Sequence, residues 1–105
     1  MPDDSALENK IKYQFSAQLW KYDAENAWYF VSLAQKMSEE IRSQLQWQEE
    51  GWGKMKAIAK IRDLEWKTSI WFDSKRQCYV LPIKAEIRKK LSLKEKDQLK
   101  IELFI

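Results

Sequence analysis

Alternating apolar and polar residues along much of the chain predict β-strands, because successive side chains of a strand point to opposite faces. In residues 54–61, for example, Met55, Ala57, Ala59 and Ile61 share one face and lysines occupy most of the other. Segments of this kind are separated by turn-forming residues. The predicted strands are IKYQFSAQLW (11–20), AWYFVSL (27–33), KMKAIAKI (54–61), LEWKTSIWF (64–72), CYVLPI (78–83) and QLKIELFI (98–105).

Two other stretches have the spacing of an amphipathic helix. Met37, Ile41 and Leu45 recur every four residues as a buried stripe. We expect this helix to start near Ser38, a good N-cap residue that is followed by two glutamates in the first turn. The second helix, at about residues 84–91, aligns Ile83, Ile87 and Leu91.

The order of these elements, β-β-α-β-β-β-α-β, predicts a mainly β fold with two helices. Short strands dominate, which favours a small β-barrel capped by the two helices. Residues 1–9, MPDDSALEN, are polar and lack periodicity, so they are predicted to be a disordered tail. The remaining residues, 10–105, are predicted to form a single barrel domain.

The two strand–helix segments resemble each other. WYFVSL followed by EEIRSQL matches CYVLPI followed by AEIRKKL, and the linker between strand and helix is four residues longer in the first copy. An amphipathic helix start can produce such a match by chance. If the repeat is real, the barrel consists of two halves related by a pseudo-twofold axis.

Composition excludes several function classes. The net charge is +3, which permits nucleic-acid binding but does not argue for it. The chain has no histidine and one cysteine, Cys78, so no cofactor or metal is expected, and neither is a disulfide. Cys78 is expected to be a buried small hydrophobic residue. Without a signal-peptide pattern or an apolar run of spanning length, the protein is expected in the cytoplasm with no contact to a membrane.

The only two glycines, Gly51 and Gly53, flank Trp52 in the stretch GWGKMK. A phosphate-binding P-loop needs four residues between its glycines and leads into a helix, whereas this stretch has one and leads into a predicted strand. The glycines are therefore expected to allow a sharp bend that folds Trp52 over the barrel opening.

The chain contains six tryptophans, more than a core of this size obviously needs. Trp28, Trp66 and Trp71 are candidates to line a cleft, although we expect Trp28 and Trp66 mainly to fill the barrel. Trp47 and Trp52, near the glycines, are better candidates for an exposed rim. The predicted ligand-binding residues are Trp52, Lys56, Trp66, Ser69 and Trp71.

A basic strand face and a basic helix provide a second candidate site. Lysines that alternate with aromatic groups are typical of proteins that bind single-stranded nucleic acid. A solvated outer strand face accounts for the same lysines more simply, so this hypothesis is not favoured. Its residues are Lys54, Lys56, Lys60, Arg88 and Lys89.

No catalytic residues are predicted. The pairs Glu39-Glu40 and Glu49-Glu50 are adjacent in sequence, so their carboxylates diverge. Ser69 and Lys84 are a possible nucleophile and base, but nothing in the sequence specifies that geometry. A non-enzymatic protein is therefore expected.

The ordered series FSAQLW, WYFVSL, SEEIRSQL, GWGKMKAIAKI, WKTSIWF, YVLPIKAEIRKKL and DQLKIEL resembles the bacterial family called domain of unknown function 1905. The resemblance runs from about Phe15 to Leu103. It implies a double-split β-barrel in one polypeptide and no established activity.

Residues 81–103 are also similar to the AbrB and MazE swapped-hairpin proteins. Matching positions are Pro82, Ile87, Arg88, Leu91, Leu93, Asp97 and Leu99, whereas Ser92 and Lys96 replace two glycines of that pattern and Ile83 is an extra residue. Those proteins build double-split barrels from two chains and hold DNA with arginines. The similarity supports a barrel more firmly than DNA binding, because a shared fold does not carry a function.

Three functions therefore stay open at the level of sequence. The leading hypothesis is a binding module for a small molecule or peptide, in a groove bordered by tryptophans. The alternatives are AbrB-like nucleic-acid binding and an interaction domain that acts through an exposed strand edge. The protein is expected to be a monomer or a weak homodimer.

Overall fold

A computed structural model describes residues 10–23 and 28–105, apart from the side chains of Asp23 and Trp52. The segment predicted as a disordered tail, residues 1–9, lies outside the described residues. Within them the chain forms seven strands: β1 Lys12–Gln18, β2 Trp20–Asp23, β3 Trp28–Ser32, β4 Lys54–Ile61, β5 Leu64–Asp73, β6 Cys78–Pro82 and β7 Gln98–Phe104.

The two predicted helices are present as α1, Gln35–Leu45, and α2, Ala85–Leu91. Short 3-10 turns at Gln46–Gln48 and Gly51–Gly53 connect α1 to β4. In the described part of the chain, no helix is both long enough and apolar enough to cross a membrane.

The predicted start of α1 at Ser38 is wrong. The helix begins at Gln35, after Ala34, and Ser38 is completely buried in its first turn. The Ser38 hydroxyl accepts a hydrogen bond, 3.0 Å long, from the backbone N–H of Tyr79 in β6. Ser38 therefore joins the helix to the sheet and does not cap the helix end.

The strands form one antiparallel sheet in the order β1-β7-β4-β5-β6-β3-β2. β1 and β2 lie at opposite ends of this order, yet only Leu19 separates them along the chain. The sheet must therefore curl, and it forms a half-barrel. This confirms the predicted fold class, mainly β with two helices in a small barrel-like domain.

The first predicted strand, residues 11–20, is in fact divided at Leu19, so that one more strand is present than predicted. Leu19 is completely buried. Its N–H donates to the carbonyl of Asp97 (2.9 Å), and its carbonyl accepts from the N–H of Lys96 (2.7 Å). The chain thus leaves β7 at Leu19 and begins to pair with β3 at Trp20.

The two halves of the chain correspond strand by strand. β3 and β6 pair antiparallel around Val31 and Leu81, and each continues into a helix. In the first half, β1 pairs with β7 and β2 pairs with β3. In the second half, the single long strand β5 takes both roles, because it pairs with β4 and with β6. The prediction of a longer linker in the first copy is wrong, because residues 33–34 and 83–84 are linkers of equal length. The extra residues belong to the helix, since α1 has 11 residues where α2 has 7. The internal repeat is therefore visible in the sheet topology.

The main core fills the inside of the curled sheet. The predicted inward row of β4 is confirmed, because Met55, Ala57, Ala59 and Ile61 are all buried. The row of β7 completes the same core with Leu99, Ile101 and Leu103, and α1 and α2 close it with Ile41, Leu45 and Ile87.

Candidate functional site

A second apolar cluster lies on the other face of the sheet. Since side chains alternate along each strand, neighbours of core residues on β2, β3, β5 and β6 point away from the core. Val31 and Leu81 belong to the main core, whereas Phe30 and Val80 belong to this second cluster with Cys78. We call this side of the sheet the outer face.

Aromatic rings from three strands meet on the outer face and form a cleft of about 620 Å³. We call it the aromatic cleft and define it by Trp20, Tyr22, Trp28, Phe30 and Trp71. Phe30 is at its centre, with ring centroids 5.2 Å from Trp20, 6.1 Å from Trp28 and 6.1 Å from Trp71. Backbone pairing explains the convergence, because Trp20 is opposite Phe30, Phe30 opposite Pro82, and Trp71 opposite Val80.

These rings differ in their access to solvent. Phe30 is buried, and Trp20 and Trp71 are half-buried beside it. Trp28 is 48% exposed and Tyr22 is 63% exposed. Trp28 was expected to fill the barrel, which is wrong: its ring stacks on Phe30 at the surface, with an interplanar angle of 17°.

The two half-buried tryptophans differ in their polar contacts. The indole Nε1–H of Trp20 donates to the hydroxyl of Ser32, 2.9 Å away. Trp71 is the counterpart of Trp20 in the second half, but Pro82 occupies the position that corresponds to Ser32. The buried Nε1–H of Trp71 has no acceptor among the described residues.

An ion pair borders the aromatic cleft. Nη1 of Arg76 lies 2.7 Å from Oδ2 of Asp73, and the guanidinium of Arg76 lies over the ring of Trp20, 4.6 Å from its centroid. Partial burial raises the pKa of the Asp73 carboxyl, but hydrogen bonds from Arg76 and Lys75 outweigh this, so the pKa is lowered. Burial raises the pKa of the neighbouring Cys78 thiol, as does the charge of Asp73.

Beside the aromatic cleft, lysines surround a groove of about 820 Å³ on the outer face of β4 and β5. We call it the lysine groove and define it by Lys10, Lys54, Lys56, Lys67 and Lys84. Lys54 pairs with Trp71 across the two strands, and Lys56 pairs with Ser69. Residues directly opposite in an antiparallel pair place their side chains on the same face, so lysines and aromatic rings share one continuous surface.

The structure brings together three of the predicted ligand-binding residues. Lys56, Ser69 and Trp71 all line the lysine groove. Trp66 does not belong with them, because it packs against the main core on the opposite face. The side chain of Trp52 lies outside the described residues, so its predicted position over the barrel opening stays a prediction. Trp47 is exposed, as expected, but it does not line the aromatic cleft.

The residues that sequence reasoning missed are the aromatic side chains of β2 and β3. Tyr22 lies between the predicted strands 11–20 and 27–33, and Trp28, although a candidate to line a cleft, is expected mainly to fill the barrel. The segment 28–31, WYFV, is apolar on both faces, and so alternation alone does not tell which face meets the core. The available signal was the surplus of aromatic residues in a strand that one core cannot bury on both sides.

The basic residues proposed for nucleic-acid binding divide among different surfaces. Lys54 and Lys56 are in the lysine groove, whereas Lys60 lines a separate groove. Lys60 lies opposite Glu65 of β5 and Glu102 of β7 in the sheet. The guanidinium of Arg88 donates to the carbonyl of Ile83 and lies over the ring of Tyr29, 3.9 Å from its centroid. Lys89 is exposed on α2. Binding through this set stays a prediction, as does association through the edge strands β1 and β2.

The described residues include a partly buried polar network around Tyr79. The Tyr79 hydroxyl donates to Oε1 of Glu49, and Nε of Arg42 lies 3.4 Å from the same oxygen. Burial raises the pKa of Tyr79 far above its ordinary value, and the charge of Glu49 adds to this effect. The Arg42 guanidinium also stacks on Phe72, so the network fastens the end of α1 to the sheet.

Two other kinds of site can be assessed within residues 10–22 and 28–105. Ser69 and Lys84 both line the lysine groove but form no hydrogen bond with each other. In this part of the chain, no group of three or more carboxylate or thiol side chains is placed to hold a metal ion.

A protein-family match covers most of the chain. No curated protein is similar to the chain. Residues 15–103 match the family described as domain of unknown function (DUF1905). This segment includes both helices, the aromatic cleft and all but Lys10 of the lysine groove. The chain therefore belongs to the DUF1905 family.

Proposed function

We propose that this protein is a non-enzymatic binding module that receives a small or extended ligand in the aromatic cleft. One observation carries the proposal: Trp28 and Tyr22 are 48% and 63% exposed in a cluster of rings on the sheet face opposite the core. Exposed apolar groups that cluster in a concave surface are typical of binding sites.

The free energy of hydration supports this interpretation. Apolar surface that stays in contact with water forgoes about 25 cal/mol per Å² of stabilisation, and tryptophan and tyrosine are among the largest side chains. A ligand that covers the rings would recover part of this free energy. At about 620 Å³, the aromatic cleft also falls in the common size range of ligand pockets, which is about 300–1,000 Å³.

The cleft is also held in place before any ligand arrives. Phe30 pairs with all four other rings, the Trp20 indole is fixed by Ser32, and Arg76 covers one side of Trp20. A surface that is already ordered loses less conformational entropy on binding. This arrangement favours recognition of a planar or apolar group.

A thermal-shift screen with metabolites and short peptides tests the proposal, because a ligand that binds only the folded state raises Tm. We expect compounds that raise Tm to lose this effect in Trp28→Ala, whose ring can be removed without opening the main core. Trp47→Ala is the matched control, since Trp47 is 78% exposed outside the cleft. A screen without any stabilising compound would count against the proposal, and so would compounds that act equally on both variants.

A further inference from the structure

We infer that the ligand of the aromatic cleft is single-stranded nucleic acid, with bases stacked on the rings and phosphates lying along the lysine groove. This inference rests on the proposed function, and it adds the chemical class of the ligand. It follows from three observations: the local charge, the continuity of the two surfaces and the accessibility of the rings.

The lysine groove concentrates positive charge that the described residues largely leave uncompensated. Lys54, Lys67 and Lys84 form no ion pair with a carboxylate of residues 10–22 or 28–105. Lys56 lies 3.8 Å from Glu50, but both side chains are largely exposed and this pair is weak. A net charge of +3 therefore understates the local field on this face. Such a field favours a polyanion.

The aromatic cleft and the lysine groove form one surface. Trp71 and Lys54 line both, and they are directly opposite each other on β5 and β4. A ligand that enters the cleft over Trp71 therefore meets an ammonium group at once and further lysines beyond it. Planar rings beside a row of cations are the two features that proteins use to hold single strands.

Asp73, a carboxylate that lines the cleft, does not oppose this arrangement. Asp73 is already bound by Nη1 of Arg76 and by two backbone N–H groups, of Lys75 and Arg76. Its charge is therefore compensated locally. No acidic residue lines the lysine groove among the described residues, and Glu50 pairs with Lys56 at its border.

A single strand fits these features better than a duplex or a lone nucleotide. The bases of a duplex are stacked on each other, and so their planar surfaces cannot reach half-recessed rings such as Trp71 and Trp20. One nucleotide occupies one stacking position, whereas Tyr22 and Trp28 both offer accessible rings and five lysines line the adjoining groove. The surface thus matches a ligand that repeats a base and a phosphate several times.

Fluorescence anisotropy with a labelled oligothymidylate of about ten nucleotides tests this inference, a length within the usual site sizes of such proteins. With about three or four phosphates neutralised, the affinity should fall with salt at a logarithmic slope of about −2 to −3. Lys54→Gln combined with Lys67→Gln should make this slope shallower by about 1.4. Lys75→Gln, in the exposed turn between β5 and β6, is the control and should leave the slope unchanged.

The aromatic variants give a different signature. Trp28→Ala and, separately, Tyr22→Ala should each weaken binding by about five-fold to a hundred-fold, with the salt slope preserved, because stacking releases no counterions. Trp47→Ala should bind like the wild type. Circular dichroism and unfolding curves of each variant should show a retained fold, since Trp28 and Tyr22 are exposed.

Several outcomes would overturn the inference. Equal affinity for a duplex of the same length, for thymidine monophosphate or for a polyglutamate peptide would show that the ligand class is wrong. So would oligonucleotide binding that ignores the lysine and aromatic variants, or no binding at low salt. If the oligonucleotide does not bind while a thermal-shift compound still depends on Trp28, the nucleic-acid inference is wrong but the proposed binding function is retained. If no ligand depends on Trp28 or Tyr22, both the inference and the proposed function are wrong.

Discussion

Two positions that correspond in the two halves of the sheet make the aromatic cleft asymmetric. Ser32 supplies the acceptor for the Trp20 indole, whereas Pro82, at the end of β6, has no side-chain acceptor for Trp71. A buried N–H without a partner is costly, and sites of this kind often coincide with function. Trp71 therefore lies between the rings and the lysines with an N–H donor that the described residues leave unused.

The two glycines give a matched pair of substitutions at the residue scale. Gly53 has φ +70°, and a Cβ there would lie 3.1 Å from Cβ of Phe72. Gly53→Ala should therefore lower the free energy of unfolding by about 1–2 kcal/mol or more. A Cβ at Gly51 meets nothing within 4 Å, so Gly51→Ala should leave stability unchanged or raise it by about 0.4–1 kcal/mol. Urea unfolding of both variants measures the difference, and equal effects would contradict this account of the bend.

Asp73 gives a pH dependence whose sign follows from its contacts. Its carboxylate accepts hydrogen bonds from Arg76 and Lys75, and its pKa in the folded protein is lowered although burial opposes this. The contribution to stability is therefore fully present above the pKa of the unfolded chain, about 3.9, and is lost as the pH falls through the lower folded value.

The measurement is the free energy of unfolding of wild type and Asp73→Asn across the acid range. The difference between the two should be largest at neutral pH and should shrink as Asp73 becomes protonated. Asp63→Asn, in the exposed turn between β4 and β5, is the control and should run parallel to the wild type. A constant difference between wild type and Asp73→Asn at all pH values would contradict the prediction.

At the scale of elements, helix α1 is attached to the sheet by polar contacts at both ends. Ser38 accepts the N–H of Tyr79 in the first turn, and Arg42 with Glu49 holds the hydroxyl of the same tyrosine after the last turn. Between these contacts, Ile41 and Leu45 pack into the core. Tyr79 on β6 is therefore the common partner that sets the position of the helix.

Ser38→Ala tests this attachment. The substitution keeps the helix propensity favourable but leaves the buried N–H of Tyr79 without an acceptor. We expect the free energy of unfolding to fall by about 1–3 kcal/mol. Ser43→Ala in the same helix is the matched control, since Ser43 is exposed and the change should be neutral or slightly stabilising. Similar destabilisation by both substitutions would mean that the helix, and not its contact with β6, is affected.

At the scale of the whole molecule, the sequence predicts the core face well and the outer face poorly. Met55 to Ile61 alternates against charged lysines, so only one face can be buried, and the prediction is correct. The bend at Leu19 is invisible because Leu19 continues the inward row of β1 and Trp20 begins the outward row without any break in alternation. Trp28 and Phe30 share a strand with core residues, and which of its faces meets the core depends on pairing with β6. Pairing between distant strands is information that local pattern does not contain.

The prediction that Ser38 caps the start of α1 is wrong for a related reason. A serine followed by glutamates is a good local signal for a helix start. The partner that determines its role, Tyr79, lies 41 residues away in sequence. The lysine groove was partly predictable, since Lys54 and Lys56 alternate on β4, but Lys67 and Lys84 join it only through the register of β4 with β5 and the position of α2.

The sheet order predicts how protection from hydrogen exchange is distributed over the molecule. β4 pairs with β5 over eight positions and with β7 on its other side, whereas β2 has four residues, an irregular register and β3 as its partner at the sheet end. Amides of β4 should therefore exchange only through global unfolding, and those of β2 through cheaper local opening. Native-state hydrogen exchange measures both, and equally slow exchange in β2 would contradict this assignment of the sheet edge. β2 supplies Trp20 and Tyr22, so a ligand bound in the aromatic cleft should also suppress the local opening of β2. The ligand should therefore slow amide exchange by a larger factor in β2 than in β4.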